Sequence, residues 1–292
     1  MVLLIMFTAV AGMFLATPAW PPLNALLFGS VGIALAASAA AAINHVLDRR
    51  FDEKMARTRH RPLPKGHLTA PQAMTYALLL AAVSMGLLGW AVNWLTALLT
   101  FGSLIGYAVV YTLWLKHATP QNIVIGGAAG AAPPVLGWTA VTGQVDAYAL
   151  LLFLIIFTWT PPHFWALAIA RRDDYAKAGI PMLPVAYGVE FTRLHILLYT
   201  ILLVLVTLMP YLTGMSGLIY LVAAVTLGSA FLQRAWQLKQ RSDARLPMRT
   251  FSFSITYLAL LFAALLLDHY LPLGSCLVKP VAKALAVRRC KT

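Results

Sequence analysis

Asn44, Asp48 and Asp52 recur at i, i+4 and i+8, a spacing that puts three oxygen-bearing side chains on one stripe of a helix. The stripe leaves the end of an apolar stretch, so it stands where a hydrophobic phase meets water. Mg²⁺ takes one or two carboxylates and completes its shell with substrate phosphates and water. The expected chemistry is therefore a Mg²⁺ site, with Asn44, Asp48 and Asp52 as ligands, that grips a phosphorylated substrate. The competing reading is ion pairing of the aspartates with the arginines around them.

Those arginines follow at once, in Met55-Ala56-Arg57-Thr58-Arg59-His60-Arg61-Pro62-Leu63-Pro64. Arg57 and Arg61 are four apart, and the planar guanidinium fork suits phosphate or carboxylate. An ordinary basic loop explains them equally well. A second polar stretch, Ala170 to Pro184, holds Asp173, Asp174, Tyr175 and Lys177. Lys177 is a candidate phosphate contact; the alternative is an i, i+4 ion pair with Asp173. Of the seven histidines, His163 is the one placed well inside an apolar stretch, beside Pro161-Pro162. An ionisable group at that depth is a functional candidate by default, against the alternative of a hydrogen-bonded structural histidine.

The elements that must hold these residues are membrane helices. Of the 292 residues 61% are hydrophobic and 11% charged, against about 45–50% and about 25% in soluble domains. That leaves too little charge to coat a soluble core. Apolar stretches fall at 1–16, 23–43, 72–91, 95–113, 119–141, 146–169, 194–213, 216–233 and 250–270. All exceed strand length, and none alternates with period two as a membrane barrel would. The fold expected is an all-α polytopic bundle of about nine transmembrane helices. The first stretch reads as a membrane helix, not a cleaved signal, since it lacks a basic lead-in. It is short for a crossing, which points to residues missing upstream.

Seventeen of the 22 Lys and Arg lie in the alternate loops 44–71, 114–118, 170–193 and 234–249, and none in the loops between. The positive-inside rule makes that face cytoplasmic in a cell inner membrane. The net charge of +13 then reflects basic loops and anionic headgroups. Nucleic acid is not an expected partner, because no basic stripe interleaves with aromatics. Gly126 to Ala132 is a run of small residues that lets helices approach closely, and Pro133-Pro134 then breaks the backbone pattern. Cys276 and Cys290 both fall in the tail.

The segment Asn44-His45-Val46-Leu47-Asp48-Arg49-Arg50-Phe51-Asp52, with the arginine stretch after it, resembles the first signature of the UbiA-type intramembrane prenyltransferases. Three further segments resemble the haem-farnesylating branch of that superfamily. They are Thr119 to Gly127, Thr160-Pro161-Pro162-His163-Phe164-Trp165, and Asp174 to Pro184. The likeness runs to about Tyr270. It implies nine helices around a central cavity open to the bilayer, with residues 1–273 as one prenyltransferase domain and 274–292 as a basic tail.

The resemblance implies transfer of a farnesyl group from farnesyl diphosphate to a vinyl carbon of haem B. It implies Mg²⁺ on Asn44, Asp48 and Asp52, and anion contacts at Arg57 and Arg61. His163 becomes the candidate haem-side residue, as iron ligand or proton carrier. Haem A synthase or terminal oxidase assembly would be downstream partners. The second D-x-x-x-D motif of many members is incomplete: Lys177 stands four after Asp173, and Ala178 four after Asp174. Lys177 then takes phosphate in place of a second metal ligand. Two other functions compete: prenyl transfer to a quinone precursor, and membrane transport. Transport would place charge at mid-depth, whereas six of the nine acids lie in two loops on one face.

Overall fold

The computed structural model describes residues 2–271, apart from Lys54, Ala56 and Arg57. The expected tail, 274–292, lies outside the described residues, as does Arg57. The described chain is helical, with no strand among the described residues.

Among the described residues nine apolar helices follow one another: α1 Val2–Leu15, α2 Ala25–Leu47, α3 Ala70–Ala91, α4 Trp94–Leu115, α5 Asn122–Thr142, α6 Ala147–Ala170, α7 Val189–Leu212, α8 Leu218–Gln240 and α9 Leu246–Tyr270. The last eight are long and apolar enough to cross a membrane. Alternation of direction brings the C-terminal ends of α2, α4, α6 and α8 to one face. That face, called here the motif face, carries Asp48, Lys116, Arg171 and Arg241.

Local chemistry sets the helix ends. Thr69 opens α3 with a capping box, accepting from the Gln72 backbone while Gln72 accepts from Thr69 N, which satisfies free N–H groups at the start. Asn93 caps α4 and also donates to Thr139 O at 2.9 Å, tying two helices at the opposite face. Asp268, near the end of α9, accepts from the Gly217, Ile219 and Tyr220 backbone N–H groups. One carboxylate thereby caps α8 from a neighbouring helix. The α5 helix breaks at Ala132, ahead of Pro133-Pro134. By contrast α6 runs through Pro161-Pro162 without a break. The lost N–H donors are tolerated because that turn is buried among other helices.

Small residues set the packing. A methyl group on Gly12 would overlap Pro134 O, and one on Gly137 would overlap Ala9 O. The backbones of α1 and α5 therefore touch, which only glycine allows. The main core joins α1, α5, α6, α7, α8 and α9 through Trp138, Ile155, Trp159, Phe231, Tyr257 and Leu261. A second core lies toward the motif face, around Trp165, Tyr175, Ile180, Met182 and Leu238. Outward surfaces stay apolar, and Trp20, Trp90 and Trp94 are exposed near the opposite end, as an interfacial aromatic belt requires.

Candidate active site at the motif face

The helical path of α2 barely pauses at its end. Asp48 N donates to Asn44 O and Asp52 N to Asp48 O, each at 2.9 Å, and Arg49–Asp52 forms one more turn. The i, i+4, i+8 stripe is thus kept, and both aspartates are buried, at 4% exposure each.

Asp48 meets a wall that the spacing of the stripe did not reveal. Its Oδ2 accepts from Lys116 Nζ at 2.5 Å and from Asn44 Nδ2 at 3.0 Å. Asn44 Nδ2 also reaches Thr112 Oγ1 at 3.1 Å. Thr112 comes from the last turn of α4, where Gly106–Leu115 is wound as a π-helix, and Lys116 follows it directly. Thr112 Oγ1 donates to Tyr107 O at 2.9 Å, five residues back, in keeping with that wider winding. Tyr107 and Tyr111 stack 5.6 Å apart, within electrostatic reach of Asp48. Asn122, fully buried, donates to Lys116 O at 3.2 Å and fixes the backbone that carries the lysine.

Asp52 pairs with Arg61 Nη1 at 2.7 Å, and Thr58 Oγ1 donates to Asp52 O at 3.1 Å. The loop after the stripe therefore folds back on it and returns a guanidinium to its second carboxylate. A cavity lined by Ala42, His45, Asp52, Arg61, Leu63 and Tyr76 opens beside this pair.

The second stretch is tied in through its aromatic residue. Tyr175 is buried in the same apolar cluster as Met55 of the first loop. The short helix Arg172–Lys177 ends in a Schellman turn: Ile180 N donates to Tyr175 O and Gly179 N to Ala176 O, with Gly179 at φ +69°. That left-handed residue favours glycine and drives Ile180 into the core. Asp173 and Lys177 are exposed and Asp174 half-exposed. Among the described residues no ion pair joins them, so the Asp173–Lys177 pair is not formed.

His163 sits apart, at 7% exposure, between Trp159 and Phe251 at centroid distances of 4.1 and 4.6 Å. Its Nδ1 lies 2.6 Å from Ser254 Oγ, which itself donates to Phe251 O. A hydroxyl has one proton to give, so the network assigns a proton to Nδ1 and leaves the lone pair on Nε2.

The donor set fits a magnesium ion that shares its shell with phosphate. Asp48 Oδ1 is buried without a hydrogen-bond partner, a costly state for a carboxylate oxygen. Among the described residues no group of three or more His, Cys, Asp and Glu gathers. Two carboxylates plus substrate oxygens suit Mg²⁺ better than a closed protein cage. Lys116 was missed in the spacing of the stripe because 68 residues separate it from Asp48. The one signal was its standing as the single Lys or Arg in loop 114–118.

The sequence matches the UbiA prenyltransferase family over residues 5–266. It is 63% identical over 269 residues to the protoheme IX farnesyltransferase of Methylococcus capsulatus, covering 92% of this chain and 90% of that protein. To the protoheme IX farnesyltransferase of Hahella chejuensis it is 60% identical over 271 residues, covering 93% and 91%. In fold it resembles a digeranylgeranylglyceryl phosphate synthase, with a TM-score of 0.77 at 16% identity, over 91% of this chain and 93% of that one. It also resembles a UbiA homologue from Archaeoglobus fulgidus bound to DMAPP and Mg²⁺, with a TM-score of 0.61 at 17% identity, over 90% and 96%.

Proposed function

Because this chain belongs to the UbiA prenyltransferase family, we propose that it transfers the farnesyl group of farnesyl diphosphate to a vinyl group of haem B, giving haem O and diphosphate. Relatives about 60% identical over most of the chain carry that activity in their names. The observation that supports the site is the buried Asp48 carboxylate, which is held by Lys116 through one oxygen and has no partner on the other.

The chemistry needs a charged head and an apolar tail handled together. The bond between the farnesyl C1 and the diphosphate oxygen breaks, and its electron pair leaves on the diphosphate. The vinyl π electrons then form a carbon–carbon bond to the allylic cation. Water adds to the carbocation left on the haem side chain and loses a proton, giving a hydroxyethylfarnesyl group. Asp48 and Asp52, with Asn44 beside them, would hold Mg²⁺, whose contribution is to neutralise charge on the leaving diphosphate. Lys116 and Arg61 supply fixed positive charge at the same place, Lys177, Asp173 and Asp174 belong to the mouth that receives the headgroup, and Arg57 is kept as an anion contact on its sequence spacing alone. Tyr175 anchors that mouth. Tyr107 and Tyr111 offer aromatic faces near the breaking bond. His163 serves the acceptor side through its Nε2 lone pair.

The motif face is cytoplasmic in this reading, in the cell inner membrane, because the basic loops gather there. Haem A synthase or terminal oxidase assembly would take up the product. Purified protein given farnesyl diphosphate, Mg²⁺ and haem B should yield a farnesylated haem by mass. Prenylation of an aromatic acid in its place would reject the acceptor and keep the family chemistry.

A further inference from the structure

Away from the Asp48 cluster, a second polar feature opens at the motif face between α8 and α9. This cleft is lined by Arg234, Ala244, Arg245, Met248, Arg249 and Phe253. Its deepest charge, Arg234, stands inside α8, six residues before Gln240. The guanidinium carbon lies 3.7 Å over the Phe253 ring, and Nη1 donates to Ala230 O at 3.0 Å. The side chain is held at that depth by a cation–π contact and one carbonyl.

None of the three arginines has a carboxylate within salt-bridge distance among the described residues. The nearby acid, Asp243, is used otherwise: its Oδ1 accepts from the Arg245 backbone N–H at 2.8 Å. Three guanidinium groups therefore surround the cleft with no counter-ion among the described residues. The helix geometry also says where the cleft looks. Positions 249 and 252, with 245 just before the first turn, fall on the side of α9 opposite its buried row Thr250, Ser254, Tyr257, Leu258 and Leu261. The cleft opens away from the packed core. Ile255 and Leu260 are exposed further along α9, where acyl chains would lie.

We propose that this cleft binds the phosphate of an anionic phospholipid of the leaflet at the motif face, with Arg234 as its innermost contact. Arginine forks match phosphate oxygens, and basic pockets between membrane helices favour acidic headgroups. A free phosphate ion would meet the same arginines but would leave Met248, Phe253 and the apolar rim without a partner. That places the occupant among lipids. The proposal does not depend on which group the active site transfers.

The test uses the full chain in a neutral detergent, titrated with phosphatidylglycerol or with phosphatidylcholine of the same acyl chains and followed by native mass spectrometry. Phosphatidylglycerol should be retained at concentrations lower by on the order of tenfold. Arg234→Gln should abolish that preference. So should the double change Arg245→Gln/Arg249→Gln, whose exposed positions keep the test open if the first variant fails to fold. Arg171→Gln/Arg172→Gln, elsewhere on the same face, should retain it. Equal retention of the two lipids would overturn the proposal. So would a preference that survives in the folded cleft variants, an equal loss in the Arg171/Arg172 control, or displacement of phosphatidylglycerol by millimolar inorganic phosphate.

Discussion

Asp48 divides its two oxygens between opposite tasks: Oδ2 holds Lys116 and Asn44, while Oδ1 has no partner. The change that removes its charge with least change of shape is Asp48→Asn, which leaves one amide oxygen to accept from Lys116. We expect turnover of the folded protein to fall by on the order of 100-fold or more, with a lower thermal midpoint because a buried cation loses its counter-charge, and the same for Asp52→Asn beside Arg61. Near-normal turnover in Mg²⁺ buffer would remove both from the metal assignment. Lys116→Met strips the cation from a buried pair. It should lower stability, since breaking such a pair costs about 3–5 kcal/mol, and raise KM for the diphosphate donor more than KM for haem. An unchanged donor KM would make Lys116 a structural counter-ion only. His163→Phe keeps the stack between Trp159 and Phe251 and removes Nε2. Farnesylated product should fall while donor binding, read by calorimetry, stays at its wild-type value. Equal loss of both would assign His163 to packing.

The helices were legible in the sequence, and the contacts between them much less so. Hydropathy alone marked the spans within a few residues, because each must satisfy its backbone internally across an apolar phase. It ended the eighth span at 233, whereas α8 continues to Gln240. Arg234 looked like a loop charge, and its guanidinium in fact lies over the Phe253 ring. The Asn44–Asp48–Asp52 stripe was readable because it is local. The Lys116–Asp48 pair was not, because it depends on the π-wound end of α4 and on the meeting of two helices. The small-residue run proved tight at Gly126, where a methyl group would overlap the Tyr111 ring. Gly126→Ala should therefore cost about 1–3 kcal/mol in overpacking and displace Tyr111 beside the site. A thermal midpoint and a tyrosine environment both unchanged by near-UV circular dichroism would refute that packing.

At the scale of the molecule, acids and bases among the described residues gather at one face of an apolar bundle, and charge elsewhere among them is sparse. The arrangement suits a substrate whose head is ionic and whose body dissolves in lipid. Its orientation is open to direct test: with Cys276 and Cys290 changed to serine, a single cysteine placed at exposed Arg59 should react with a membrane-impermeant maleimide only after the cells are opened. Labelling of intact cells would invert the topology. The account as a whole rests on the Asp48–Asp52 stripe gripping a diphosphate through Mg²⁺. Calorimetric binding of a non-reactive farnesyl thiodiphosphate to the purified chain, with and without Mg²⁺, measures that grip directly. Affinity should rise steeply with Mg²⁺ in the wild type and hardly at all in Asp48→Asn/Asp52→Asn. A Mg²⁺ response of equal size in the two proteins would contradict it.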